Sequence, residues 1–158
     1  VMTRNWLAKL KSLIGDTAAT AAVEFALIAP ALVLIPVPVV DIGVGLYTQM
    51  EVRLAAQAGA QYALGHAYDS AQITDAATAA TPLAVTITTQ QSCGCPSGTT
   101  VDMVVGTPGA CGTCAGGATA GTYVQVLSTA TYTPPIAFKD VAFLSTYTLS
   151  STSTVRTQ

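Results

Sequence analysis

The stretch TAATAAVEFALIAPALVLIPVPVV, residues 17–40, contains a single charged side chain, that of Glu24. About 20 apolar residues are enough for a helix to cross the hydrocarbon core of a bilayer. A cleaved secretory signal is the alternative, but its apolar region is usually only about 7–15 residues long. We therefore predict one transmembrane helix over residues 17–41, which brings Asp41 close to the outer interface.

Basic residues are concentrated before this stretch. Arg4, Lys9 and Lys11 make up three of the six Lys and Arg residues of the chain. Positively charged flanks of transmembrane helices stay in the cytoplasm. Residues 1–16 are therefore predicted to be a basic cytoplasmic segment, and the chain beyond the helix is predicted to be exported.

The composition argues against several classes of function. Apolar residues make up 51% of the chain and charged residues 9%, whereas about a quarter of the residues of a typical soluble domain are charged. A net charge of −2 provides no basic surface for nucleic acid. His66 is the only histidine, lies at a predicted helix end and suits a surface or cap role better than that of a general base. We predict no enzyme activity, no cofactor, no metal site and no small-molecule substrate.

A helical pattern continues after the membrane stretch. Residues 42–68 are rich in Ala, Leu and Gln and are predicted to extend the helix out of the membrane. Pro36 and Pro38 predict a break or kink in it. Side chains recur at every fourth position in this part, namely Leu46, Met50, Leu54, Ala58 and Tyr62.

The composition changes again over residues 69–158, where Thr, Val, Ser, Tyr and Gly dominate. Such a composition is typical of β-strands, after a short polar connector. The predicted fold class is α+β, a long N-terminal transmembrane helix extending into a small antiparallel β-sheet head. The predicted strands cover residues 83–90, 100–105, 123–133 and 145–156.

Four cysteines lie in the head, as Cys93-Gly-Cys95 and Cys111-Gly-Thr-Cys114. Their spacing would suit a tetrahedral zinc site. An exported location instead favours two disulfides, because thiols are oxidised there. Cys93 and Cys95 are too close to each other for a comfortable bond, so bonds between the two pairs are expected. A hairpin would favour Cys93–Cys114 together with Cys95–Cys111.

Three sequence blocks resemble the TadE-like family, which comprises pilin-like minor components of the tight-adherence pilus system. The blocks are AAVEFALIAPALVLI, DIGVGLYTQMEVRLAAQAGAQYAL and the C-terminal YVQVLSTATYTPPIAF with LSTYTLSSTSTVRTQ. The resemblance implies a structural subunit in pilus or surface-appendage assembly. It also implies a bacterial inner-membrane location, a periplasmic head, and other membrane helices or pilin-like subunits as partners. An uncleaved accessory transmembrane subunit, stabilising a larger membrane complex, is the alternative.

The resemblance also offers a reason for Glu24. In pilin-like families a glutamate at this place is thought to neutralise an N-terminal amine. Processing of that kind would cut between Ala19 and Thr20, although Ala19 replaces the glycine that usually precedes the cut. Two alternatives stay open, namely another partner within the membrane, or hydration of Glu24 near the inner interface.

Overall fold

The structure is a computed structural model, which describes residues 17–98, 100–104, 106–134 and 145–157. The chain divides between Ile42 and Gly43 into two compact units. The predicted basic segment over residues 1–16 lies outside the described residues.

Two consecutive helices, separated by the single residue Ile35, account for the apolar part of the chain. Helix α1 covers Thr17–Leu34 and helix α2 covers Pro36–Gly65. Pro36 takes the first position of α2, where the missing N–H group would have no partner within the helix anyway. The predicted break near the prolines is therefore found directly before the first of them.

The large side chains of α1 are exposed rather than packed in a core. Val23, Phe25 and Leu27 are 61%, 65% and 76% exposed. Water would penalise so much apolar surface, whereas hydrocarbon would not. The helix therefore has the surface expected of a membrane-spanning segment.

A third helix, α3, covers Ser70–Ala79, in a region that the sequence predicted to be a polar connector, with a further helical turn as an option. Its N-terminus is capped by Asp69, whose carboxylate accepts hydrogen bonds from the backbone N–H groups of Ala71 (2.9 Å) and Gln72 (3.3 Å). Such a cap contributes about 1 kcal/mol to helix stability. The helix also buries Ile73 and Ala77, which anchor it to the core.

Four antiparallel strands form one sheet in the order β2-β1-β3-β4. The strands are β1 Thr86–Ser97, β2 Thr100–Val104, β3 Gly121–Tyr132 and β4 Tyr147–Arg156. The predicted α+β class is confirmed. Strand β1 begins later than predicted and continues through both Cys93 and Cys95, because this segment pairs with β2 on one side and, up to Gly94, with β3 on the other.

Small residues on one face of α2 allow the helix to lie close to the sheet. A Cβ atom added to Gly59 would lie 3.1 Å from a methyl carbon of Val126 and 3.2 Å from the Cβ atom of Ala77. The every-fourth-residue pattern of Leu46, Met50 and Leu54, by contrast, belongs to the opposite, exposed face. The other buried residues of this helix face are small or β-branched, namely Val52, Ala55, Ala56, Ala60 and Ala63.

Candidate functional site

Two disulfides hold the segment between β2 and β3 against strand β1. The bonds join Cys93 to Cys111 and Cys95 to Cys114, with Cα–Cα distances of 5.5 Å and 5.7 Å. The predicted bonding of the two cysteine pairs to each other is found. The nested pairing expected of a hairpin, Cys93–Cys114 with Cys95–Cys111, is wrong.

The register of the sheet explains the observed pairing. Cys93 lies opposite Thr122 of β3, and the Cys111 sulfur lies 3.6 Å from the hydroxyl of that threonine. The segment beyond Cys111 does not double back along β1. It forms a separate turn instead, which is closed by an isolated β-bridge between Thr113 and Thr119 and places Cys114 beside Cys95.

Backbone hydrogen bonds and glycines shape the same loop. The Cys114 N–H group donates to the Ala118 carbonyl at 2.6 Å, and the Ala120 N–H group donates to the Gly112 carbonyl at 2.9 Å. Gly116 and Gly117, which lie between Cys114 and Ala118, have φ values of +99° and +85°, a conformation that residues with a side chain disfavour. The structure therefore gives this loop a defined turn.

The two predicted intramembrane charges differ in their surroundings. Glu24 is exposed on α1, and its carboxylate forms no ion pair with any residue that the structure describes. Asp41 is only 5% exposed and interacts with another group of the protein. The expected processing position between Ala19 and Thr20 lies in the first turn of α1.

Glu51 is the centre of a polar network that the sequence did not reveal. Its Oε2 atom accepts a hydrogen bond from the Thr81 hydroxyl at 2.8 Å, and the Thr81 oxygen accepts one from the Leu83 N–H group at 3.2 Å. The Tyr47 hydroxyl, one helical turn away, also bonds to Glu51. Glu51 is half-buried beneath these partners, and Arg53 is exposed.

Two tyrosines cover the start of the buried face of α2. The rings of Tyr132 and Tyr147 lie with centroids 5.2 Å apart. A Cβ atom on Gly45 would approach the Tyr147 hydroxyl to 2.8 Å, so glycine leaves room for this side chain to lie against the helix. Gln49 nearby donates from Nε2 to the Ser150 carbonyl at 3.1 Å and covers part of the exposed edge of β4.

His66 lies just after the end of α2, and its side chain interacts with the last turn of that helix. Its Nδ1 atom lies 3.0 Å from the Tyr62 carbonyl oxygen, one of the carbonyls that a helix leaves unpaired at its C-terminus. The ring also stacks on that of Tyr62, with centroids 4.0 Å apart. This arrangement agrees with the cap role predicted from the sequence.

Within the described part of the chain, no group of three or more aspartate, glutamate, histidine or cysteine side chains is placed to hold a metal ion. All four cysteines are engaged in disulfides.

Together these features define a class of protein in which one long apolar helix is joined to a disulfide-bonded α+β unit. Residues Thr20–Gly65 are long and apolar enough to cross a membrane, with a mean hydropathy of 2.3 in the most apolar stretch. The model of the family described as TadE-like protein matches residues 19–61, just over a quarter of the chain. The match confirms the resemblance to the TadE-like family. Neither the curated proteins nor the solved structures gave a match.

Proposed function

We propose that the chain is a structural single-pass membrane protein, a TadE-like minor pilin that acts in the assembly of a pilus or related surface appendage. The match to the TadE-like family over residues 19–61 carries this proposal. It is supported by the exposed apolar surface of α1, which suits lipid or neighbouring helices. Other pilus subunits are the expected partners.

The proposed orientation has residues 1–16 in the cytoplasm, residues 17–41 in the inner membrane, and both the helix extension 42–68 and the head 69–158 in the periplasm. We expect protease added to spheroplasts to digest the head from outside, because the basic residues precede the helix. The measurement is the size of the protected fragment, followed with tags at either end. A head that stays fully protected in intact spheroplasts contradicts this orientation.

Glu24→Gln is the variant that tests the role of the intramembrane carboxylate. Glu24 has no ion-pair partner among the described residues, so a partner in the assembly is expected to supply one. An amide cannot form that pair but costs less to place in a membrane, so insertion should be retained while appendage assembly falls sharply. The assay counts surface appendages in cells whose only copy is the variant. Normal assembly would favour a hydrated Glu24 and contradict the pairing.

The uncleaved accessory subunit is retained as a second proposal, because Ala19 replaces the usual glycine and its bond to Thr20 lies within helix α1. A peptidase would have to unwind the first turn to reach that bond. The mass of the intact chain from native membranes distinguishes the two proposals. Loss of residues 1–19 supports a processed minor pilin, and the full mass supports the accessory subunit.

A further inference from the structure

The exposed face of α2 beside the sheet carries large apolar side chains. Leu46, Met50 and Leu54 are 59%, 65% and 47% exposed, and Tyr47 beside them is 57% exposed. Residues four apart on a helix lie on one side, so these four form a continuous band, which we call the outer stripe. The opposite face of the same turns carries the small residues that pack on the sheet.

We do not expect the outer stripe to contact lipid, because the same turns of α2 lie beside a polar sheet. Gly45 lies under the Tyr147 hydroxyl and Gln49 bonds to the Ser150 carbonyl, so the start of β4 is level with the stripe. Thr148 and Ser150, both with hydroxyl side chains, are exposed there. Burying hydroxyl groups in hydrocarbon without partners costs several kcal/mol each, which keeps this level outside the bilayer core.

The outer stripe also has a defined end. The next residues on the same side of the helix after Leu54 are Gln57 and Gln61, both exposed. Exposed apolar patches bordered by polar residues mark interaction sites, and outside the lipid such a patch favours a contact with another protein. The small residues that border the stripe, Gly45, Ala55 and Ala56, are buried and are not available for such a contact.

The charged residues on either side of the outer stripe are complementary between two copies of the chain. Glu51 and Arg53 lie on opposite sides of it, roughly 60–100° from its centre line at 3.6 residues per turn. When two identical helices pack in parallel around a two-fold axis, the left flank of one meets the right flank of the other. Glu51 of each copy would then face Arg53 of the other. The hydrogen bonds from Thr81 and Tyr47 leave acceptor sites on the Glu51 carboxylate.

We propose that a second copy of this chain packs in parallel on the outer stripe, with two symmetric Glu51–Arg53 ion pairs at its borders. The parallel orientation rests on the proposed membrane anchoring. Anchoring in one membrane also raises the effective concentration of the partner, so a short helical contact is sufficient.

Photo-crosslinking in membranes of the full-length chain tests this proposal. A photoreactive amino acid at Met50 should give a homodimer adduct, which two differently tagged copies expressed together identify. The same amino acid at Thr152, exposed on the sheet, is the control and should give none. Arg53→Glu should lower the adduct yield roughly fivefold through like charges facing each other. Adding Glu51→Arg to that variant should restore the yield, which a misfolded chain would not do.

A Met50 adduct that contains only a different chain, or no protein adduct at all, overturns the self-association. An Arg53→Glu loss that Glu51→Arg fails to restore overturns the proposed ion pairs. Surface appendages counted in the same cells keep the two proposals separate. If appendages form normally without the homodimer adduct, the proposed function stands and the self-association fails.

Discussion

Gly59→Leu should destabilise the head by about 3 kcal/mol, the upper part of the usual range for overpacking a core. Even the first carbon of the new side chain would lie 3.1 Å from a methyl carbon of Val126 and 3.3 Å from one of Ile73. The three further carbons of leucine have no space between α2, α3 and the sheet. For a chain of this size we expect the melting temperature to fall by roughly 6–12 °C. Thermal unfolding of the detergent-solubilised chain measures it.

Gly43→Leu provides the matched control, since no atom lies within 4 Å of a Cβ atom built at that position. Glycine is about 0.8–1 kcal/mol less favourable in a helix than alanine, and leucine ranks next to alanine, so this variant should be unchanged or slightly stabilised. Gly59→Ala should fall between the two, because the gain in helix propensity offsets a tight methyl contact. Equal losses for Gly43→Leu and Gly59→Leu would show that α2 does not pack on the sheet as described.

The sequence predicted the elements of the fold because each has a strong local signal. The apolar length of residues 17–40 indicates a helix that needs no knowledge of its neighbours. The Thr- and Val-rich segments likewise indicate strands, and the four-stranded sheet has one strand in each predicted region. Helix α3 was predicted as no more than an optional helical turn in a connector, because its alanines and threonines show little apolar periodicity. Its cap by Asp69 was the available signal.

The sequence did not predict which face of α2 is buried. Leucines and methionine at every fourth position usually mark a core face. Here the sheet and α3 approach so closely at Gly59 that only small side chains fit, and the large ones remain outside. Hydrogen bonds between residues far apart in the sequence, such as the one from Thr81 to Glu51, depend on the same close packing, and no local sequence pattern indicates them.

Cysteine pairing could not be derived from spacing either, because both pairings between the two cysteine pairs are sterically reasonable. The nested arrangement assumes that the segment after β2 returns along β1 as a simple hairpin. The structure instead gives this segment its own turn, closed by Thr113 and Thr119. That turn is specified by glycines at positive φ, whose effect depends on the whole loop.

Paired cysteine variants should distinguish the two connectivities by counting thiols. Cys95→Ala with Cys114→Ala removes one complete bond of the structure and leaves Cys93–Cys111, so no free thiol is expected. Cys95→Ala with Cys111→Ala breaks both bonds and should leave two thiols, those of Cys93 and Cys114. The nested pairing predicts the reverse for both variants. Alkylation of the unreduced, denatured chains followed by mass measurement gives the counts.

The same variants should differ in stability. Each disulfide closes a loop with a sequence separation of 18 or 19 residues, which in the chain-entropy model contributes about 3 kcal/mol. Removing Cys95–Cys114 alone should cost about that amount, and breaking both bonds should cost up to about 6 kcal/mol. Removing Cys93–Cys111 should cost more than removing Cys95–Cys114, because the Cys93 side chain is fully buried and its loss leaves a cavity. Four alkylated cysteines in the unaltered chain, or one zinc per chain by elemental analysis, would contradict the disulfide assignment and favour a metal site.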